Sequence, residues 1–199
     1  METAYVAVYD TWADWEIGHL LVELRTGRFT GEPWTVVTVA ESAEPVVTMG
    51  GMRVVPDVTI ADVAPEQGDL LVLAGSAQWD EGGGDDFLKL AGQFLEAGVP
   101  VAAICGATAG LARVGLLDEC EHTSAAKEYL QATGYAGSDK YVDARAVVGG
   151  DVITAGPDSP VQFARAVLKR LGLADEQKLD AYEGVFHRAD PAAYANLVG

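Results

Sequence analysis

The chain has 199 residues, enough for one domain with a sizeable core, and its 49% hydrophobic content excludes a disordered chain. No apolar run approaches the roughly 18 residues that a membrane span needs. Its 13 Lys and Arg against 30 Asp and Glu give a net charge of -17, a field that repels nucleic-acid phosphates and anionic lipid, so neither is expected as a partner.

Apolar, β-branched runs alternate with helical patterns from the first residues on. AYVAVYD (4–10) predicts a strand, and ADWEIGHLLVELRTG (13–27) a helix that buries Ile17, Leu20, Leu21 and Leu24 and stops at Gly27. WTVVTVA (34–40) predicts a second strand, and VVTMGGMRVVPDVTI (46–60) two short strands about the Gly50–Gly51 turn. DLLVLAGS (69–76) is the continuous apolar run of a buried parallel strand. EGGGDD (81–86) predicts a loop, and 85–98 a helix ending at Gly98. PVAAIC (100–105) predicts another buried strand and 106–117 a short helix. A helix is expected over 124–134, with Thr123 and Ser124 as its caps, and a hairpin over 141–156 around Gly149–Gly150. DSPVQFARAVLKRLGL (158–173) predicts a helix with Asp158 or Ser159 as its cap, Pro160 in the first turn and Lys169 and Arg170 in the last. A further helix is expected over 176–186, and the tail shows no pattern.

This alternation implies one domain over 1–199. Its class is α/β, a three-layer α/β/α sandwich on a mostly parallel open sheet of the flavodoxin-like kind. Chemistry in such sheets gathers outside the carboxyl ends of the strands, here Asp10 to Glu16, Ala74 to Ser76 and the turn at Cys105. The opening METAYVAVYD has no basic n-region, so no secretory signal is expected, and two cysteines make no disulfide framework. A cytoplasmic location with reduced thiols follows as the expectation.

The window AICGA (103–107) runs from an apolar strand through Cys105 into small residues that open a helix. A tight strand–turn–helix of this kind holds a nucleophile in the open, and the helix N-terminus favours thiolate over thiol. The competing interpretation is a small core residue; the surrounding pattern favours the nucleophile. Cys120, in DECEH among acids that raise a thiol's pKa, reads as structural.

On AAICGATAGLARVGLLD, ADWEIGHLL, LLVLAGS and DVITAGPDSPVQFARAVLKRLG, the chain resembles the ThiJ/PfpI superfamily of the class I glutamine-amidotransferase-like fold, from about residue 4 to residue 173. The resemblance implies a nucleophile elbow at Cys105, with Glu16 as the carboxyl group set against its sulfur. It further implies backbone N–H groups of Gly75 or Ser76 and of Gly106 as an oxyanion pocket, and a homodimer. Two anions in contact cannot both stay ionised, so a carboxyl group there should have a raised pKa. Glu16 also reads as an ordinary first-turn helix acid. Protease-like members carry His directly after the cysteine; Gly106 stands there, so an adjacent Cys–His pair is absent. His122, where stress-protein members often have an active-site His, reads either as a general acid/base or as a capping or surface residue. Trp12, Trp15 and Trp79 read as pocket mouth or as packing.

Three scattered histidines and two cysteines show no metal-ligand spacing, and EGGGDD offers acids where a phosphate needs donors, so neither metal nor cofactor is expected. DSPVQF lacks the His–Glu pair of a glutaminase. The expected function is a cysteine-dependent enzyme acting on a small carbonyl or amide-like substrate, glyoxalase-, deglycase- or amidase-like. The alternative is a redox-sensing or chaperone-like stress protein using an oxidisable cysteine.

Overall fold

The computed structural model describes residues 1–198. Its strands and helices follow in chain order: β1 (Thr3–Ala7), α1 (Asp14–Thr26), β2 (Thr35–Ala40), β3 (Val46–Val47), β4 (Arg53–Val54), β5 (Val58–Thr59), β6 (Leu70–Leu73), α2 (Ala77–Asp80), α3 (Asp85–Glu96), β7 (Val101–Ile104), α4 (Gly106–Arg113), α5 (Lys127–Gln131), β8 (Ala146–Gly149), β9 (Val152–Ala155), α6 (Pro160–Arg170), α7 (Glu176–Phe186) and α8 (Tyr194–Val198). The main sheet has the order β5-β2-β1-β6-β7-β9-β8, parallel throughout except where β8 pairs antiparallel with β9. β6 and β7 lie in its middle and every residue of both is buried, as their unbroken apolar sequences require.

β1 connects through α1 to β2 on one side of it, and β6, on its other side, connects through α3 to β7, so the two crossovers run in opposite directions along the sheet. With right-handed crossovers their helices cover opposite faces, giving the three-layer α/β/α sandwich. On one face α1 packs on α6. On the other, Gly110 of α4 sits so close to Leu88 of α3 and to Trp79 that a methyl group would lie 2.7 Å from the Trp79 ring. One hydrophobic cluster runs from Ala4 in β1 to Leu197 near the C-terminus. No helix among the described residues is long and apolar enough to cross a membrane.

The structure departs from the sequence reading in four places. Val58–Thr59 leaves the expected hairpin and pairs parallel with β2 at the sheet edge, while β3 and β4 form a separate two-stranded ribbon. The helix expected over 124–134 is reduced to Lys127–Gln131. Thr123 and Ser124 do not cap it: the Thr123 hydroxyl donates to Ala144 O and Ser124 Oγ lies 2.6 Å from Thr108 Oγ1, tying that segment down in extended form. At α6, Ser159 is the N-cap residue but makes no side-chain cap bond; its hydroxyl donates to Asp158 instead. The patternless tail forms a short turn and α8, burying Ala193 and Leu197.

Candidate active site at the β7–α4 elbow

Cys105 sits between the last residue of β7 and the first of α4 with φ 60° and ψ −130°, a conformation that side chains other than glycine rarely adopt. Bonds on both sides hold it there. Its N–H donates to Ala155 O at 3.0 Å, and its carbonyl accepts from the Thr108 N–H at 3.1 Å and the Thr108 hydroxyl at 2.6 Å. Small residues let the turn close over Trp79, which is buried beneath the elbow with its Nε1–H on Ala74 O at 2.9 Å. A Cβ at Gly106 would come within 3.2 Å of that indole. The side chain of Cys105 is only half-buried and opens into a cleft of about 410 Å³ at the carboxyl ends of the strands.

Glu16, in the first turn of α1, is fully buried against this cysteine. Its Oε2 accepts the Gly75 N–H at 2.6 Å, while Oε1 has no hydrogen-bond partner; the Cys105 side chain lies beside the carboxyl group. The three residues interlock. A Cβ at Gly75 would lie 2.9 Å from Cys105 Cβ and from both Glu16 carboxylate oxygens, so only glycine lets carboxyl and thiol meet. Burial pushes the Glu16 carboxyl group up to about 6 despite the Gly75 N–H and the thiol, which pull it down. Burial, then the charge of Glu16, push the Cys105 thiol up to about 12, against the Gly106 N–H. Each anion opposes the other, so the pair retains one shared proton near neutrality. When that proton rests on Glu16, the carboxylate's opposition vanishes, and the Gly106 N–H and the N-terminus of α4 favour thiolate.

This arrangement coincides with a match to the DJ-1/PfpI family over residues 2–170. The chain belongs to that family. It is 37% identical over 172 residues to the uncharacterized protease YoaZ of Bacillus subtilis (strain 168), covering 84% of this chain and 82% of that one. It is 30% identical over 149 residues to the glutathione-independent glyoxalase DJR-1.2 of Caenorhabditis elegans, covering 68% and 73%. Among solved structures, a ThiJ/PfpI family protein from Bacillus anthracis superposes with a TM-score of 0.93 at 36% identity, covering 99% of this chain and 96% of that one.

Two of the expected roles do not match the geometry of this cleft. Gly75 cannot serve an oxyanion through its N–H, which the Glu16 carboxyl group already takes. Ser76 and Gly106 line the cleft, and Ser76 is anchored by its hydroxyl, which donates to Asp10 O and accepts the Gln78 N–H at the start of α2. His122 is not placed with Cys105. It is fully buried, its Nδ1 lies 2.9 Å from Cys120 O and its Nε2 3.0 Å from the Tyr135 hydroxyl, and it does not line the cleft. With both ring nitrogens engaged it has no free position for a base. His19 faces the Tyr182 hydroxyl and His187 is exposed beyond α7.

Of the three tryptophans only Trp15 lines the cleft; Trp12 and Trp79 pack into the core. Asp14 is the first residue of α1, after the N-cap residue Ala13. Its carboxylate takes the Gly50 N–H at 2.6 Å and ties the β3–β4 ribbon to α1, which brings Met49 to the cleft mouth. Met49, Asp80 and Tyr129 escaped the sequence reading; the Tyr129 hydroxyl donates to Asp80 Oδ1 at 2.6 Å across the opening. Among the described residues no group of three His, Cys, Asp or Glu is placed to hold a metal ion. A second cleft of about 450 Å³ beyond α2, whose lining includes Asp10, Glu41, Glu44 and Glu81, contains neither cysteine nor histidine.

Proposed function

We propose that this protein is a cysteine-dependent enzyme acting on a small carbonyl compound, in the manner of a cofactor-independent glyoxalase. The observation that carries the reading is the buried Glu16 carboxyl group held against the strained Cys105 by the Gly75 N–H. Its relative DJR-1.2, named a glyoxalase, supports it. In the first step the Cys105 sulfur attacks the aldehyde carbon, a C–S bond forms and the carbonyl electron pair moves onto oxygen. The Ser76 and Gly106 N–H groups stabilise that oxygen, and the proton held by Glu16 converts it to a hemithioacetal. The Glu16 carboxylate then takes the hydrogen on that carbon as a proton, and the electron pair left behind shifts to give an enediol as the neighbouring oxygen gains a proton. Glu16 returns its proton to the neighbouring carbon while the former hemithioacetal oxygen loses its own, leaving a hydroxy thioester. Water cleaves the thioester to a hydroxy acid and restores the thiol. The reaction is an internal oxidation and reduction and needs no cofactor. With His122 engaged elsewhere and Gly106 after the cysteine, no Cys–His pair supports a peptidase reading.

Methylglyoxal turnover, read as lactate formed, tests the proposal. Wild type is expected to convert it, and Cys105→Ser to lose at least about 1000-fold in kcat/KM. A second reading, a non-catalytic thiol sensor, is favoured by the same half-exposed position of Cys105. No turnover of any carbonyl or amide by wild type, with selective peroxide oxidation of Cys105, would replace the first reading with the second.

A further inference from the structure

We infer that the Cys105 cleft selects neutral carbonyl compounds bearing a flat apolar substituent, and turns away anionic ones. The inference deepens the function proposed above and rests on Cys105 being the reacting atom. Its first ground is charge. The ionisable side chains lining the cleft besides Cys105 are Glu16, Asp80 and Tyr129; no Lys, Arg or His is among them. A carboxylate or phosphate on the substrate would find no ionic partner there and would face Asp80 at the opening, inside a chain of net charge -17. The second ground is an unusual surface. Trp15 is 53% exposed and Met49 50% exposed, and both stand at the mouth of this same cleft. Neither is needed by the core, and large apolar side chains gathered on a concave surface mark a place that something covers. An indole and a thioether accept an aromatic ring by face or edge. Ala13, Ala77 and Ala125 complete an apolar wall that leaves room for it.

The test uses three alkylating reagents on the Cys120→Ser protein: iodoacetamide, N-benzyl iodoacetamide and iodoacetate. In each case the sulfur of Cys105 forms a bond to the CH₂ carbon and iodide leaves. Rates are read by mass spectrometry and divided by those for N-acetylcysteine. The benzyl reagent should react about fivefold faster than iodoacetamide, an aromatic contact's worth, and Trp15→Ala should bring that ratio to about 1. Iodoacetate should react about fivefold slower than iodoacetamide, and Asp80→Asn, which keeps an acceptor for Tyr129, should remove most of that gap. Equal normalised rates for all three reagents, or a Cys105 inert to all, overturn the inference. Turnover of phenylglyoxal and glyoxylate separates the two claims. Selective alkylation without turnover of any aldehyde upholds the cleft's selectivity and sinks the glyoxalase reading. Turnover with glyoxylate equal to phenylglyoxal does the reverse.

Discussion

Cys105 and Cys120 are both half-buried free thiols, and burial raises the pKa of both. Accessibility therefore does not tell the proposed nucleophile from the other cysteine in this protein. What separates them is the backbone and the neighbours. Cys120 has no left-handed backbone, its thiol donates to Leu116 O at 3.7 Å, and the charge beside it is Asp118. Cys105 is forced into φ 60°, a strain of about 1–3 kcal/mol held by the bonds from Ala155 and Thr108, and it meets a buried acid and a helix N-terminus. A strained backbone that aims a sulfur at a proton donor costs stability, and its persistence is the strongest structural sign that the position works.

The largest way to break this contrast is to push carboxyl and thiol apart without touching either. Gly75→Ala places a methyl group 2.9 Å from Cys105 Cβ and from both Glu16 oxygens, closer than such atoms approach, so the pair must separate. Carbonyl turnover should fall about 100-fold, the scale of an ångström-sized misplacement. Overpacking should also lower the unfolding free energy by about 1–3 kcal/mol. Alkylation of Cys120 should be unchanged in the same protein. Turnover within threefold of wild type would show that the close Glu16–Cys105 contact is not needed.

Much of this contrast is legible in the sequence. The unbroken apolar runs of β6 and β7 and the amphipathic pattern of α3 leave few alternatives to a parallel sheet, and a cysteine between strand and helix marks the elbow. Direction is what local pattern does not carry. His122 lies near Cys120 in the chain, but its ring turns to Tyr135, thirteen residues on, a partner no spacing rule names. Which amide of the Gly75–Ser76 pair faces the carboxyl group depends on a contact across 59 residues. Met49, Asp80 and Tyr129 come from three separate segments of the chain that only the tertiary fold brings to one cleft. β5 is two residues long, and its pairing with β2 is a tertiary event rather than a propensity.

A sharper probe of the pair is its proton. Glu16 is raised by burial from 4.5 to about 6, so the folded protein holds a proton there that the unfolded chain has released. Stability associated with that proton is present below about 4.5 and lost as pH rises through 6, amounting to about 2 kcal/mol at pH 7. Glu16→Gln cannot ionise and keeps an oxygen for the Gly75 N–H. Urea unfolding should find it more stable than wild type by about 2 kcal/mol at pH 7, shrinking below about 1 kcal/mol at pH 5. Cys120→Ser should change stability by the same amount at both pH values. An advantage of Glu16→Gln that does not shrink on acidification would assign it to packing and remove the buried charge from the account.

The smallest effect isolates the backbone strain. Replacing either cysteine by glycine removes a half-buried side chain and adds freedom to the unfolded chain, costs common to both sites. Only at position 105 does glycine also relieve a left-handed conformation, because Cys120 does not adopt one. The difference between Cys105→Gly and Cys120→Gly in unfolding free energy therefore reports the strain with the shared costs cancelled. It should favour Cys105→Gly by about 1 kcal/mol or more. Urea unfolding at pH 5, where Glu16 largely keeps its proton, limits the carboxylate's share of that difference. Equal losses at the two positions would mean that the elbow is comfortable at Cys105, and the activation of its sulfur would then rest on Glu16 and the α4 N-terminus alone.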